Sequence, residues 1–446
     1  MPPRCRFGTE IPRAVLPLLL CAPLFAAPAM ALPPVEFAGL ELTPTFQTLI
    51  GLQHGDNVNY GLGALDSIGE TERDTLYVAF KPKVDALYDT ETWSAYGAAS
   101  FVAATTTLDG EISGQVARSG DQAFDTDHLY LGWRNELFDL SVGGQEFSVG
   151  DGFIIGDGNY NKGGENGQYW TGAFLAWRNS AILKINTEPV RADIFWLRTD
   201  KDFKDSRVVG INIETTTRDT FGTIGVMYLE VLQGGAFNLD GINAWNVRGA
   251  NIKVPGVPNL ELFGEWVLEL GTDKQAGGRD NNAIGWYLEG QYTFVDMPWT
   301  PRVSYRYARM SGDELDTEDN EEYRGLYFTI FRRDWDTWYQ GEIAGEYHLY
   351  NQNQITQMFK VKTFPRPAWA ITFYYYHHEL EEPQYFGTPV TSSNWADEIN
   401  FGFEHFRGQS FYGYAGIAWS TPNAAAKQIY GDKNFAVLQT WLSFVF

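Results

Sequence analysis

The sequence predicts an all-β fold, an antiparallel transmembrane β-barrel of 18 strands preceded by a cleaved leader. Three observations predict it. The chain ends Phe435-Ala-Val-Leu-Gln-Thr-Trp-Leu-Ser-Phe-Val-Phe446, which puts Leu438, Leu442, Phe444 and Phe446 at alternating positions and stops on an aromatic, as a strand with one lipid-facing side requires. Its first 31 residues have the three parts of a secretory leader. After them no stretch approaches the roughly 18 uninterrupted apolar residues of a spanning helix. A chain of this kind crosses a bilayer as strands, and only a closed barrel leaves no backbone group unpaired in hydrocarbon. An ordinary sandwich strand is the competing explanation of the C-terminus, and the leader argues against it.

The leader combines Arg4, Arg6 and Arg13 with an apolar stretch from Ala14 to Ala27 and the small-residue site Ala29-Met30-Ala31. The mature chain then begins at Leu32, and residues 32–446 form one barrel. Leu20 stands before Cys21 where a lipoprotein leader has a small residue, so lipid anchoring is not expected. Cys5 and Cys21 leave with the leader, which excludes disulfides and thiolate metal sites from the mature protein. Losing three bases and one acid takes the net charge from −23 to −25, and a chain that acidic is not built for nucleic acid. Aromatics at 15% and 46 glycines fit a wall in which only alternate residues meet lipid. No linker, low-complexity run or repeat marks a second domain.

Period-two patterning then locates the strands. Leu76, Val78, Phe80, Val84 and Tyr88 share one face, with Lys81, Lys83 and Asp85 on the other. Leu260, Leu262, Trp266, Leu268 and Leu270 alternate with Glu261, Glu265 and Glu269. Ile284, Trp286, Leu288, Tyr292 and Phe294 oppose Tyr287, Glu289, Gln291 and Thr293, while Trp369, Ile371, Phe373 and Tyr375 oppose Thr372, Tyr374 and Tyr376. Rows of charge on one strand face would ruin a sandwich core but suit a watered lumen.

The connections alternate in length. Short turns are expected at Asp89 to Thr92, Asn135 to Leu137, Thr187 to Pro189, Thr215 to Asp219, Pro255 to Asn259, Asp296 to Pro301, Phe364 to Pro367 and Arg407 to Gln409, on the periplasmic side. Long polar segments lie between them, at His54 to Asp74, Asp109 to Phe124, Ser148 to Trp177, Ser311 to Asn353, Glu379 to Ala396 and Thr421 to Asn434. Eighteen strands satisfy this alternation. Gly325 to Arg332 and Trp338 to Tyr350 would make 20 if they formed a further hairpin.

Several short elements carry a family resemblance. Val142-Gly-Gly-Gln145 followed by Gly150-Asp-Gly152 and the aromatic stretch Trp170 to Trp177, together with Trp335-Asp-Thr-Trp-Tyr-Gln-Gly-Glu342 leading into Asn353, resembles the alginate-export family of Gram-negative outer-membrane barrels. The resemblance implies an 18-stranded porin, a transport channel for an anionic polysaccharide or a small polar solute, and no enzyme. The chain departs from the family at Gly144, where an arginine is expected, and in the mixed sign of its lumen.

By strand phase the inward cations are Lys81, Lys83, Arg134, Lys184, Arg191, Arg248, Arg306, Lys360 and Lys362, which with Gln145 form the candidate solute-binding set. Facing inward with them are Asp85, Asp193, Glu214, Glu261, Glu265, Glu269, Glu289, Glu398 and Glu404. Segregated charge would set a field across the lumen, whereas interleaved charge would form neutralising ladders between neighbouring strands, and the interleaved arrangement is the one we expect. Exposed cations would pass an anion through a series of weak sites, each contributing about 1 kcal/mol or less. Tyr374, Tyr376 and Trp441 offer sugar-stacking faces or, equally, aromatic filling.

No nucleophile elbow, zinc helix or phosphate loop is present, and no cofactor is expected. The histidines are His54, His128, His348, His377, His378 and His405, and adjacent His377 and His378 point to opposite faces of a strand. Asp157-Gly-Asn-Tyr-Asn161 imitates half of a calcium loop, but Lys162 and Gln168 stand where glycine and glutamate are needed. The acidic run Asp313 to Glu322 reads as a solvated loop tip, with cation bridging to lipopolysaccharide as the alternative. Leu442, Phe444 and Phe446 are expected to serve as the assembly signal for the barrel-assembly machinery. Three functions follow for an outer-membrane barrel among lipid and lipopolysaccharide: a diffusion channel narrowed by the loops Ser148 to Trp177 and Ser311 to Asn353, a plugged structural or adhesive barrel, or a membrane enzyme.

Overall fold

The computed structural model describes residues 32–156, 172–200, 205–216, 221–234, 239–273, 278–314, 316–327 and 340–446. They form a 19-stranded antiparallel sheet that closes on itself. One member is the three-residue strand Val35–Phe37, folded back on the start of the wall, which leaves 18 wall strands. These begin with β1 (Leu40–Asp56), β2 (Glu72–Asp89), β3 (Trp93–Leu108), β4 (Gln122–Asn135), β5 (Phe138–Gln145) and β6 (Trp177–Ile185). Next come β7 (Val190–Arg198), β8 (Arg207–Thr215), β9 (Thr223–Gln233), β10 (Ile242–Lys253), β11 (Leu260–Asp273) and β12 (Arg279–Thr293). The wall ends with β13 (Arg302–Met310), β14 (Gln354–Arg366), β15 (Trp369–Leu380), β16 (Asn394–Arg407), β17 (Phe411–Pro422) and β18 (Phe435–Val445).

Each strand pairs with its sequence neighbours, and β1 pairs with β18 from Gln47 opposite Val445 to Asp56 opposite Ala436. The backbones of Phe46 and Phe446 exchange two hydrogen bonds of 3.0 and 2.9 Å at that seam. Closure removes the two free edges that an open sheet would expose to lipid. The expected phases hold along the wall. Phe80, Val84, Trp266, Leu288, Phe373 and Tyr375 are exposed on the outside, while Lys81, Glu265, Glu269, Glu289, Tyr374 and Tyr376 are buried inside. An exterior belt of this kind needs a bilayer around it.

The short turns fall at or within three residues of their expected places, except the one after Thr215, which lies mostly outside the described residues, and the long connections gather at the opposite end. Three further connections at that end, 199–206, 234–241 and 274–278, are shorter than the six read from the sequence. Of the 20-strand alternative, Ala344–Leu349 forms a turn of π-helix inside the barrel rather than wall, and residues 328–339 lie outside the described residues. The calcium-like segment Asp157 to Asn161, with Lys162 and Gln168, also lies outside them.

The wall is uneven in height. β2 has 18 residues and β5 only 8. At about 3.3 Å per residue and a tilt near 40°, eight residues rise roughly 20 Å, less than the ~25 Å apolar band of such barrels. The connection leaving β5 at Gln145 therefore starts at lumen depth. Deleting Phe446, or Phe446→Ser, is expected to lower the yield of assembled barrel without changing conductance per channel, as read by folded fraction on unheated gels and by single-channel recording.

A self-neutralised lumen narrowed by two inward loops

The inner wall is laced with alternating charges on neighbouring strands. Arg134, Asp139, Lys184 and Asp193 stand opposite one another in turn across β4, β5, β6 and β7. Arg191 Nε lies 2.8 Å from Glu214 Oε1, and Arg248 Nη2 lies 2.7 Å from Glu214 Oε2. Arg248 is on β10 and Glu214 on β8, so the guanidinium must cross β9. It does so over Gly225, where a Cβ would come within 2.5 Å of the Arg248 Cζ.

The same pattern continues on the far strands. Arg306 Nε donates to Glu289 at 2.8 Å, with Lys360 Nζ at 3.7 Å from the other carboxylate oxygen. Lys362 Nζ is 2.7 Å from Glu404, and Lys83 Nζ is 2.9 Å from Asp85. Gln145 donates to Ser180 Oγ at 2.7 Å, and Arg134 lies over the Tyr96 ring at 5.3 Å. The candidate set is thus spread around the wall rather than gathered into one site, and its buried cations are held by carboxylates. Ladders, not a transverse field, are what the wall contains.

Tyr374 and Tyr376 are buried as well, stacked at 5.9 Å with His378 continuing the column. They fill the wall instead of presenting faces to a sugar. Trp441 packs against Leu49, Ala79 and Phe174.

What narrows the lumen is loop. Beyond β5, Phe147, Val149, Phe153, Ile154 and Ile155 turn inward and join one apolar cluster with Phe195, Met227, Phe263, Tyr287 and Tyr323 on the wall and the second loop. The turn is pinned by polar contacts: Asp151 N–H donates to Glu265 at 3.1 Å and Tyr287 O–H donates to Asp151 at 2.7 Å. Ile155 bridges Tyr327 of the long connection after β13. Residues 340–350 of that connection line the opposite wall, packed with Tyr60, Trp395, Phe435 and Val437. Here His348 is fully buried, and burial pushes its pKa down to about 3, so the ring stays neutral.

Within the first of these loops lies a cavity of about 130 Å³ lined, among the described residues, by Glu146, Phe147, Ser148, Asp151, Leu175 and three glycines. Among the described residues its titratable lining is two carboxylates. Glu146 belongs to a cluster with Asp127 and His128 whose potential ligand atoms lie within 4.8 Å of one another. Lys81 Nζ sits 2.5 Å from Asp127 and 4.0 Å from Glu146, so an ammonium takes the central place that a cation would need, and the geometry is that of an ion-pair network. Sequence reading had marked Lys81 and the Gly150-Asp-Gly152 turn but not Asp127 or Glu146, because their partners come from other strands.

No protein-family model matches the chain, and no curated protein matches it. Solved structures do. A BenF-like porin from Pseudomonas fluorescens Pf-5 superposes with a TM-score of 0.60 at 9% identity, over 91% of this chain and 98% of that one. Acinetobacter baumannii OccAB4 gives 0.59 at 10%, over 90% and 98%, and Pseudomonas aeruginosa OccK5 (OpdH) gives 0.57 at 13%, over 91% and 98%. The likeness is one of fold. It is the fold of outer-membrane porins, and with the closed, apolar-belted wall it places the chain in the outer membrane.

The expectation of an alginate-export barrel is overturned. The neighbours are Occ and BenF-like porins, and the short motifs behind that resemblance have structural duties here. Gly144 and Gln145 end β5, Gly150-Asp-Gly152 makes the inward turn, and the Trp335 element lies mostly outside the described residues. Removing one partner of a buried pair costs roughly 3–5 kcal/mol, and an exposed pair is worth about 1 kcal/mol or less. Glu289→Gln, which leaves Arg306 and Lys360 facing a neutral amide, is expected to lower the denaturant midpoint of the folded barrel in micelles far more than Lys83→Met does.

Proposed function

We propose that this chain is a passive outer-membrane channel for small polar solutes, with the selective point at the inward loop that follows β5. The observation that carries this reading is the cavity within that loop, whose charged lining among the described residues is Glu146 and Asp151. A space of that size suits a single small solute, and a channel site must bind weakly enough to release what it admits.

The lining also bears on charge. A solved structure of Pseudomonas aeruginosa OpdK holds vanillate, an aromatic carboxylate. In this chain the buried cations that would meet such an anion are engaged by Asp127, Glu214, Glu289 and Glu404, while two carboxylates face the cavity. We therefore assign the passage to solutes that are neutral or carry a cationic group. Proteoliposomes containing the refolded barrel test this by swelling. Monosaccharides and small amino acids are expected to swell them rapidly and oligosaccharides slowly or not at all. Absence of swelling with every solute would favour a plugged barrel.

A further inference from the structure

One side chain of the wall holds three successive backbone amides of the 340–350 segment. Both oxygens of Glu398, on β16, accept from three consecutive backbone N–H groups: Glu342 at 2.7 Å, Ile343 at 3.3 Å to each oxygen, and Ala344 at 2.7 Å. The carboxylate is fully buried. Successive amides converging on a carboxylate form a short, charge-assisted clasp, and it comes just before the π-turn that carries Tyr347 and His348. Gly341 sits at φ +122 with room for no Cβ farther than 3.0 Å from Glu398 Oε1, so the approach to the clasp requires glycine.

Among the described residues, uncharged side chains of the wall and of other loops add further ties to the segment. Gln439 donates to Glu342 at 2.5 Å, Gln53 to the Tyr347 hydroxyl at 3.2 Å and Gln115 to the Tyr347 carbonyl at 2.8 Å. His348 shares a hydrogen bond with Asn59 at 3.1 Å. Apart from the Gln439 bond, whose acceptor is the Glu342 carboxylate, these bonds join neutral groups and contribute less than those to an ionised acceptor.

We propose that Glu398 is the positioning residue of the channel: by clasping the amides of residues 342–344 it holds the 340–350 segment flat against the inner wall and so sets the cross-section open to solute. This rests on the channel reading above. Glu398→Gln keeps the volume but replaces one acceptor oxygen with an N–H donor aimed at backbone donors, which releases the clasp without leaving a cavity. Gly341→Ala attacks the same contact from the loop side, away from the strands on which assembly depends.

Single-channel recording of the full-length mature barrel, with neutral polyethylene glycols of graded size as exclusion probes, tests the proposal. Both variants are expected to assemble as the unaltered protein does and to change its conductance level and polymer cut-off, with added current fluctuations. If the unaltered barrel conducts and both assembled variants match it in level, cut-off and noise, the proposal fails while the channel reading stands. A silent unaltered barrel with conducting variants would keep the clasp and overturn the open-channel reading. Silence in all three would overturn both.

Discussion

Hydrocarbon outside the wall is the constraint on which everything else depends. A strand presents two faces, and when lipid takes one, ionisable side chains within the apolar band go to the other. The inside of the barrel consequently receives charges of both signs at close spacing. They are buried there by neighbouring side chains and by the inward loops, so each needs a partner. Arg248 reaching across Gly225 to Glu214, and Glu289 serving both Arg306 and Lys360, are local answers to that demand. Such pairs do not make the barrel stable in themselves, because desolvation offsets much of their attraction. They keep a charged interior from being ruinous.

Neutralisation at the wall changes what the lumen presents to a solute. Cations that would otherwise steer anions are spent on neighbouring carboxylates, and the groups that reach the cavity come from a loop rather than a strand. On the channel reading proposed above, selectivity passes from the wall, whose chemistry is tied up in its own pairing, to the inward loop after β5. Porin walls with 9–13% identity to this one retain the same fold.

Most of the fold was legible in the sequence because the barrel's requirements are local. Period-two alternation around Leu76, Leu260, Ile284 and Trp369 set the strand faces, turn residues marked the short end, and the aromatic terminus marked the closing strand. The inward loops were not legible in the same way. That Glu398 clasps residues 342–344, or that Lys81 meets Asp127, depends on register accumulated across several strands, and nothing in the neighbouring residues encodes it. The alginate-export resemblance misled for a related reason. Glycine-rich turns beside a short strand answer a geometric need of an inward loop, whatever the channel carries.

The reversal potential across a planar bilayer holding the refolded mature barrel, under a gradient of potassium chloride, tests the central claim most directly. A wall that neutralises its own cations, with Glu146 and Asp151 at the cavity, predicts cation preference that weakens in the double variant Glu146→Gln, Asp151→Asn. Anion preference in the unaltered barrel would mean that the lumen cations remain available to solute, and would contradict the account.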